Sequence, residues 1–489
     1  MMDTLDKDLL SVQDVRNCIA RAKKAQEEFK NFSQEQVDTI VKAMAEAAEK
    51  EAVKLAKMAN EETGFGIWQD KVVKNKFASS VVYKNIKDLK TVGIIAEDKE
   101  NKTFDVAVPV GVVAGIIPST NPTSTTIYKT LISLKSGNSI VVSPHPGAKK
   151  CIMETVEILK KAAKEAGAPD GIIECISVAT LQGTQELMKH KDTALILATG
   201  GEAMVKAAYS SGNPAIGVGP GNGPAYIDKS ADVKMAVKRI FDSKTFDNGV
   251  ICASEQSIVV EECMKEKVMA EVKAQGGYFL NKEESEKLGK FILRANGTMN
   301  PAIVGKSVEV LAQLSGLDIP KGIRVLISEQ TTVGKSNPYS REKLTPILAF
   351  YVENSVDSAC DRCVEILMNE GKGHTVVVHA EDEAVIKKFA LKQPISRMLV
   401  NTPGALGGIG GSTNLVPALT LGCGAIGGSS TSANVGPMNL IDIKKVAYGV
   451  RELEELRGET PKEEVGCNVQ ISDELVEVIL AKLMAKLNK

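Results

Sequence analysis

The sequence predicts an α/β protein with parallel sheets that are covered by helices on both faces. From about residue 105, short β-branched runs alternate with amphipathic helical segments. Strands that alternate with helices of this length are typical of βαβ units, whose strands pair in parallel. A glycine pair follows one of these strands, at Gly200 and Gly201. At 489 residues the chain is too long for one compact core, so we expect two or three domains.

The individual elements follow from hydrophobic periodicity. The first ninety residues are predicted to be helical, because apolar residues such as Val12, Val15 and Ile19 recur at helical spacing. In the βαβ region the predicted strands are 112–117, 139–143, 172–178 and 194–198. The predicted helices are 125–134, 151–166, 184–189 and one that begins near Glu202. A second α/β stretch runs from about 220 to 421.

Composition excludes several classes of function. Sixty basic residues against 61 acidic ones leave a net charge of -1, and the basic residues are scattered, which is not the footprint of a nucleic-acid binder. The longest apolar run, 106–118, is too short to cross a membrane. The first residues lack the basic and apolar segments of a secretion signal, so we expect a cytoplasmic protein. Nine cysteines spread over the chain fit reduced thiols.

Cys252 is the candidate nucleophile. It lies in the stretch 246–256, among small, turn-forming residues with neither helical nor strand periodicity. A thiol on a tight connection can meet a substrate, and its thiolate needs backbone donors or positive charge nearby. The stretch alone fits equally well a cysteine packed as a small apolar residue.

A candidate phosphate site follows the strand at 194–198. Thr199, Gly200 and Gly201 lead into a helix, and the free amides at a helix N-terminus can bind a dinucleotide phosphate. The G-x-G-x-x-G fingerprint is absent, and a Gly-Gly turn between a strand and a helix is common. The turn alone therefore leaves a purely structural role open.

Five segments together resemble the coenzyme A-acylating branch of the aldehyde dehydrogenase superfamily, including the aldehyde dehydrogenase half of bifunctional alcohol/aldehyde dehydrogenases and the acyl-forming enzymes of bacterial microcompartments. The segments occur in the family's order, at 110–122, 199–201, 217–222, 246–256 and 342–346. The resemblance covers about residues 10 to 455. It implies a Rossmann-type cofactor domain, an α/β catalytic domain and a projecting oligomerisation hairpin.

The resemblance also implies roles for individual residues. Cys252 corresponds to the nucleophile, the side-chain amide of Asn121 and the backbone N–H of Cys252 to the oxyanion donors, and His374 to a histidine near the nicotinamide. The positions that correspond to the cofactor site, for NAD or alternatively NADP, are Ser119, Thr120, Ser143, Pro144, His145, Thr199, Gly200, Gly201, Gly219 and Glu342. From the residues alone, His145 fits a surface loop, His374 a structural histidine and Glu342 a solvated carboxylate equally well.

Val218 separates two reaction outcomes. Hydrolytic aldehyde dehydrogenases have a glutamate at the corresponding place, which activates water, and valine cannot accept a proton. The expected acyl acceptor is therefore coenzyme A. The alternative is that Val218 only packs a strand and another base serves water.

Two further features have simpler explanations. Cys360 and Cys363 have C-x-x-C spacing but lie on one face of a predicted helix with no second ligand pair, so we predict no metal. The glycine-rich tract 404–428 resembles the segment that lines the family's substrate and coenzyme A entrance, and flexible loops are the alternative.

The resemblance to the family also implies a domain organisation. It places a cofactor domain at 1–218, with 99–108 in an oligomerisation hairpin, a catalytic domain at 219–430, a return segment at 431–455 and a linker with a helix at 456–489. The segments 103–108 and 439–444 correspond to the family's intersubunit hairpin, which implies a homodimer or homotetramer. The helix at 471–487 is amphipathic, since its apolar residues step by four. It resembles the peptides that recruit enzymes to microcompartment shells, and docking on its own subunit is the alternative.

Three hypotheses about function result. The leading one is the reversible, NAD(P)-dependent conversion of a short-chain aldehyde and coenzyme A to acyl-CoA, inside a bacterial microcompartment. The second is a hydrolytic aldehyde dehydrogenase that forms a free acid. The third is a catalytically weak cargo or scaffold protein.

Overall fold

The N-terminal part of the chain is helical, as predicted. The computed structural model describes residues 6–458 and 473–487. Five helices come first, namely α1 (Lys7–Phe29), α2 (Gln34–Lys50), α3 (Ala52–Thr63), α4 (Trp68–Lys76) and α5 (Val82–Ile86), with a π-helical segment, Phe77–Val81, between α4 and α5. Two strands follow them, β1 (Gly93–Asp98) and β2 (Thr103–Pro109).

A five-stranded parallel sheet forms the first α/β layer. Its elements are β3 (Val112–Ile117), α6 (Pro122–Lys135), β4 (Ser139–Pro144), α7 (Lys149–Glu165), β5 (Ile173–Cys175), α8 (Leu181–Lys189), β6 (Thr193–Thr199), α9 (Glu202–Tyr209) and β7 (Ala215–Val218). The strand order is β5-β4-β3-β6-β7, so the direction of winding reverses between β3 and β6. A crevice at such a reversal, outside the carboxyl ends of the strands, is the usual ligand site of an open α/β sheet.

A seven-stranded parallel sheet forms the second α/β layer. Its elements are β8 (Gly223–Ile227), α10 (Val233–Thr245), β9 (Glu255–Glu261), α11 (Lys265–Ala274), β10 (Gly277–Phe279), α12 (Lys282–Ile292), α13 (Val308–Ser315), β11 (Val325–Glu329), β12 (Ile347–Glu353), α14 (Val356–Asn369), β13 (Gly373–His379), α15 (Glu383–Lys392), β14 (Ile395–Val400) and α16 (Gly404–Gly408). The strand order is β10-β11-β12-β9-β8-β13-β14. Separate apolar cores lie on its two faces.

The C-terminal part contributes β15 (Ile441–Ala447), α17 (Leu453–Leu456) and α18 (Asp473–Leu487). A three-stranded sheet has the order β1-β2-β15. The described residues divide into two units, one within Met1–Ile95 and Val106–Lys444 and the other within Ala96–Asp105 and Lys445–Lys489. In the second unit Lys445 Nζ pairs with Asp105 at 2.8 Å. Within the described ranges, no helix is long and apolar enough to span a membrane.

The predicted α/β fold with parallel sheets is confirmed, and two predicted boundaries are corrected. The helix predicted from Thr125 begins at Pro122, because proline suits the first helical position, where its missing N–H is not needed. The strand predicted over 172–178 ends at Cys175. Beyond it, the backbone N–H groups of Ser177 and Val178 donate to the Asp14 carboxylate instead of continuing the sheet.

Candidate active site

One cavity lies at the carboxyl ends of the first sheet's strands. It measures about 510 Å³. The residues that follow β3, β4, β6 and β7 form one wall, which places the cavity at the reversal of strand order. Cys252 and side chains from later in the chain form the opposite wall. The cavity-lining residues from that wall are Val250, Ile251, Cys252, Glu342, Leu344, Ile409, Leu419 and Leu421.

Cys252 lies on the tight connection between α10 and β9. Two residues of this connection, Asp247 and Asn248, have left-handed backbones with φ of 50° and 53°, which is uncommon outside glycine. The thiol is partly buried and lines the cavity. Burial, and secondly the nearby Glu342 carboxylate, raise the pKa of Cys252 to about 12. The connection therefore exposes the thiol to the cavity but holds it protonated.

Asn121 occupies the N-cap position of α6, in the short connection after β3, and its side chain makes no capping hydrogen bond there. It also lines the cavity. Its Oδ1 accepts a hydrogen bond from Lys74 Nζ at 2.6 Å. An ammonium group can only donate, so this contact assigns the oxygen to the Lys74 side of the amide. The hydrogen bonds of residues 6–458 and 473–487 include none from the Asn121 amide nitrogen, which is left to face the cavity.

Sequence reasoning missed Lys74 and Lys71. Lys74 is 2 % exposed and donates to Asp247 Oδ2 at 2.5 Å and to the Val250 carbonyl at 2.9 Å. Lys71, one helical turn earlier on α4, pairs with the same Asp247 oxygen at 3.0 Å. Burial lowers the pKa of Lys74 to about 8, although Asp247 opposes this effect. The local sequence around the two lysines, which is rich in charged residues, gives no signal that either is buried.

Glu342 lines the cavity beside Cys252. Its Oε1 accepts a hydrogen bond from the backbone N–H of Gly221 at 2.8 Å. Burial, and less so the neighbouring Glu370, raise the pKa of Glu342 to about 8. Among the cavity-lining residues in the described part of the chain, Glu342 is the one carboxylate.

The predicted phosphate site lies on the wall formed by the residues that follow β3, β4, β6 and β7. The Oγ1 of Thr199 is buried without a hydrogen-bond partner among the described residues. Helix α9 begins after Gly201, with no side chain capping its first turn. An orphaned hydroxyl beside uncapped helix amides fits a pyrophosphate group. The structure thus brings the predicted Thr199, Gly200 and Gly201 to one end of the cavity.

The remaining predicted cofactor residues also line the cavity. Ser119 and Thr120 follow β3, Pro144 ends β4, and Gly219 follows β7. Ser143 Oγ lies 2.9 Å from Thr184 Oγ1 in a shared hydrogen bond. His145 is exposed, as the loop interpretation expected, and its Nδ1 accepts from the Gly147 N–H at 3.0 Å. Although the residue is exposed, partial desolvation of its ring by neighbouring atoms lowers the pKa of His145. All ten predicted cofactor residues therefore line one cavity.

His374 does not line the cavity. It is fully buried at the start of β13, where Nδ1 shares a hydrogen bond with Thr375 Oγ1 at 3.0 Å. A Cβ on Gly221 would lie 3.2 Å from its Cε1 and 1.9 Å from the Cys252 carbonyl oxygen, so the imidazole lies behind Gly221. Burial, and secondly Arg397, lower the pKa of His374 to about 3. It is therefore a neutral imidazole one layer behind Cys252.

Val218 lines the cavity where β7 ends and is 5 % exposed. Its aliphatic side chain therefore lines the same cavity as Cys252, and this position supplies no proton acceptor. By contrast, Cys360 and Cys363 are buried on α14 as free thiols. Across the residues that the structure describes, no group of histidine, cysteine and acidic side chains could hold a metal ion.

The fold and the cavity define an α/β protein that holds a cysteine opposite a dinucleotide-type cleft. The chain belongs to the aldehyde dehydrogenase family, whose model matches residues 7–338. It is 46% identical over 442 residues to the bifunctional aldehyde-alcohol dehydrogenase AdhE of Escherichia coli K12, an alignment that covers 89% of this chain and 50% of that protein. The chain thus spans about half the length of the first curated relatives it matches.

A relative of similar length is the acetylating succinate-semialdehyde dehydrogenase of Clostridium kluyveri. It is 37% identical over 438 residues, which cover 90% of this chain and 96% of that protein. The predicted resemblance to the acylating branch is confirmed by these relatives.

Solved structures agree. A probable aldehyde dehydrogenase from Listeria monocytogenes EGD-e superposes with a TM-score of 0.92 at 65% identity, covering 92% of this chain and all (100%) of that one. An acetylating aldehyde dehydrogenase from Geobacillus thermoglucosidasius gives a TM-score of 0.90 at 53% identity, with coverage of 94% and 100%. A propionaldehyde dehydrogenase from a Clostridium phytofermentans microcompartment gives 0.80 at 29% identity, with coverage of 89% and 97%. Two more distant neighbours, each 25% identical, carry bound CoA and bound NADP+.

Proposed function

We propose that this protein is a coenzyme A-acylating aldehyde dehydrogenase that converts short-chain aldehydes to acyl-CoA. One observation carries the proposal: Cys252 shares its cavity with the aliphatic side chain of Val218, where a hydrolytic enzyme needs a base. Acetylating relatives of this chain support the same acceptor.

Cys252 acts as the nucleophile. Its thiol first releases its proton to water, and the thiolate then attacks the aldehyde carbon, so that the carbonyl oxygen becomes the negatively charged oxygen of a thiohemiacetal. The Asn121 amide nitrogen and the Cys252 backbone N–H donate to that oxygen, which lowers the barrier because the donors are already oriented. When bound, NAD accepts the hydride that leaves this carbon, and a thioester on Cys252 remains.

The thioester then reacts with coenzyme A. The thiolate of coenzyme A attacks the acyl carbon, the acyl–sulfur bond to Cys252 breaks, and the Cys252 thiolate is released. No base is needed for a nucleophile that ionises readily, whereas water needs one. The reaction is reversible because one thioester replaces another.

Glu342 is the residue on which a hydrolytic alternative depends. It is the one carboxylate that lines the cavity in the described ranges, and its pKa of about 8 would allow it to accept a proton near neutral pH. We assign Glu342 instead to binding the hydroxyl groups of the nicotinamide ribose, because its carboxylate lines the cavity. The cofactor is NAD, and NADP is the alternative. Measuring turnover with each of the two coenzymes distinguishes them.

The substrate is an uncharged, apolar aldehyde. The wall beside Cys252 carries Val250, Ile409, Leu419 and Leu421. Lys74 is the one cation that lines the cavity among the residues described, and its three N–H donors are taken by Asn121, Asp247 and Val250. No lysine or arginine donor remains in the described lining for a substrate carboxylate or sulfonate, and the ionised form of Glu342 would repel one. Acetaldehyde, propionaldehyde and butyraldehyde fit this surface, whereas succinate semialdehyde does not.

The test measures NADH formation from each aldehyde with and without coenzyme A. We expect turnover to depend on coenzyme A, acyl-CoA to be the product, and kcat/KM for succinate semialdehyde to be at least about 100-fold lower than for propionaldehyde. Cys252→Ala should abolish both aldehyde oxidation and acyl-CoA reduction. An equal rate of NADH formation with and without coenzyme A would support the hydrolytic enzyme. No turnover in any condition would support the scaffold hypothesis.

The assembly proposals rest on the second unit and on α18. The described side chains of α18 are exposed, including Leu475, Ile479 and Leu483. We propose that this apolar surface recruits the enzyme to a microcompartment shell. The proposal is supported by one structural neighbour, which is a microcompartment enzyme. Residues 471 and 472 of the predicted helix lie outside the described residues.

We further propose that β2 and β15 form the intersubunit hairpin of a homodimer or homotetramer, and that the cofactor and catalytic domains meet near residue 218.

His374 is proposed to support the site indirectly. Its neutral ring fills the space behind Gly221, and Gly221 packs against the Cys252 carbonyl. This arrangement supports a role in holding the Cys252 backbone, from which the second oxyanion donor projects.

A further inference from the structure

Lys74 makes three contacts that converge on the two sides of the oxyanion site. Its Nζ lies 2.6 Å from Asn121 Oδ1, 2.5 Å from Asp247 Oδ2 and 2.9 Å from the Val250 carbonyl oxygen. The first partner carries one proposed oxyanion donor. The other two lie on the connection that presents Cys252, five and two residues before it.

The donor count of Lys74 matches its acceptors. An ammonium group has three N–H bonds and no lone pair, and each has an acceptor here. The group is 2 % exposed, so water does not compete for it. The Asp247 carboxylate that balances its charge is itself fully buried.

This contact decides which way the Asn121 amide points. An asparagine can turn its amide by half a rotation, which exchanges the carbonyl oxygen and the NH₂ group. With Lys74 in place, the oxygen faces the ammonium and the NH₂ group faces the cavity. With the amide reversed, its oxygen would face the thiohemiacetal oxygen and repel it.

We propose that Lys74 is a positioning residue of the oxyanion site, which holds the Asn121 amide with its NH₂ group toward the carbonyl oxygen of the substrate. Through Asp247 and Val250 it also fixes the connection from which the Cys252 N–H projects. This inference rests on the proposed function of Cys252 and Asn121, and it adds a residue on α4 that makes no contact with the reacting atoms.

Lys71 provides a matched control. It lies on the same helix, is 3 % exposed and pairs with the same Asp247 oxygen. Its other contact is the Thr120 carbonyl at 3.3 Å, not the Asn121 side chain. Lys71→Met therefore removes a buried ion pair of Asp247 without freeing the Asn121 amide.

The experiment compares Lys74→Met and Lys71→Met for coenzyme A-dependent aldehyde oxidation and for acylation of Cys252 by p-nitrophenyl acetate. The ester reaction passes through the same kind of oxyanion but needs neither NAD nor coenzyme A, so it reports on the site even if the proposed overall reaction is wrong. We expect Lys74→Met to lower both rates about 100-fold with KM changed less than about threefold, as for loss of an oxyanion donor. Lys71→Met should lower them less than about fivefold.

A double-mutant cycle with Asn121→Ala separates positioning from general support. Once Asn121 is alanine, Lys74→Met should cost less than about tenfold, because no amide is left to orient and only the support of the Cys252 connection is lost. Equal losses in the two lysine variants, or an undiminished loss in the Asn121→Ala background, would overturn the proposal. If Lys74→Met does not fold, Lys74→Arg, whose guanidinium can also donate to Asn121 Oδ1, is taken through the same cycle. Any loss that it causes should shrink in the Asn121→Ala background, and an undiminished loss would overturn the proposal.

Discussion

At the scale of single residues, the electrostatics around Cys252 favour the thiol over the thiolate. Burial contributes most to its raised pKa and the Glu342 carboxylate comes next, while Arg397 acts in the opposite direction. A cysteine that is held as the thiol is protected from alkylation and oxidation. It follows that the charge state of Glu342 should control the reactivity of Cys252.

This dependence predicts that Glu342→Gln makes Cys252 more reactive at alkaline pH. The pKa of Glu342 is about 8, so the wild-type carboxylate is ionised at pH 9 and opposes the thiolate, and the amide does not. We expect iodoacetamide to alkylate Cys252 about threefold faster or more in the variant at pH 9. The difference should shrink toward pH 7, where Glu342 is protonated in the wild type. Mass spectrometry of the Cys252 peptide measures the rate.

Glu370→Gln is the control for this experiment. Glu370 accepts from the Glu342 backbone N–H at 2.8 Å but does not line the cavity. Its removal should change the alkylation rate less than about twofold. An equal effect of both variants, or a Glu342→Gln rate that matches wild type at pH 9, would show that Glu342 does not control the thiol.

At the scale of elements, the connection between β7 and β8 packs directly on the backbone of Cys252. A Cβ on Gly221 would lie 1.9 Å from the Cys252 carbonyl oxygen, a distance that no adjustment of a side chain relieves. A Cβ on Gly219, two residues earlier, would have no atom within 4 Å. These two glycines therefore serve different purposes, although they belong to one motif.

We predict that Gly221→Ala displaces Cys252 and destabilises the protein, whereas Gly219→Ala leaves the fold intact. The first substitution should lower the free energy of unfolding by about 1–3 kcal/mol and reduce Cys252 acylation by p-nitrophenyl acetate at least about tenfold. Denaturant unfolding and the ester assay check both outcomes. A Gly219→Ala variant as unstable as Gly221→Ala would contradict the packing described for this connection.

The sequence predicts the strands around the cavity well, but not the long-range contacts between side chains. The strands at 112–117 and 194–198 carry strong β-branched patterns and were predicted almost to the residue, and the cavity lies where their order implies. Lys74 could not be found in this way, because its partners are 47 and 173 residues distant in sequence. The motif order located Cys252, Asn121 and Glu342, but only packing shows that His374 lies behind Gly221. Motifs describe local backbone, whereas a buried ion pair depends on tertiary contacts.

At the scale of the whole molecule, the cavity and the C-terminal helix lie in different units of the chain. All residues that line the cavity lie between Lys74 and Leu421, whereas α18 belongs to the unit that contains Lys445–Lys489. The exposed apolar residues of α18 have no role in the chemistry of Cys252. Catalysis and recruitment should therefore be separable.

We predict that deletion of 459–489 leaves kcat/KM within about twofold and abolishes association with co-expressed microcompartment shell proteins. Ile479→Glu with Leu483→Glu in the full chain should have the same effect on association, since charges disrupt an apolar contact surface. Copurification with shell proteins measures the association. Unchanged copurification of the truncated protein would exclude recruitment through this helix.

The acyl-enzyme itself tests most directly whether the thioester on Cys252 waits for coenzyme A. The protein is mixed with propionaldehyde and NAD+ without coenzyme A, quenched, and digested for mass spectrometry, with Cys252→Ala as the control. We expect a propionyl group on the Cys252 peptide that persists without coenzyme A and is lost, with formation of propionyl-CoA, when coenzyme A is added. A Cys252 peptide that never carries the acyl group, or one that loses it to water at the same rate without coenzyme A, would contradict the acylating function.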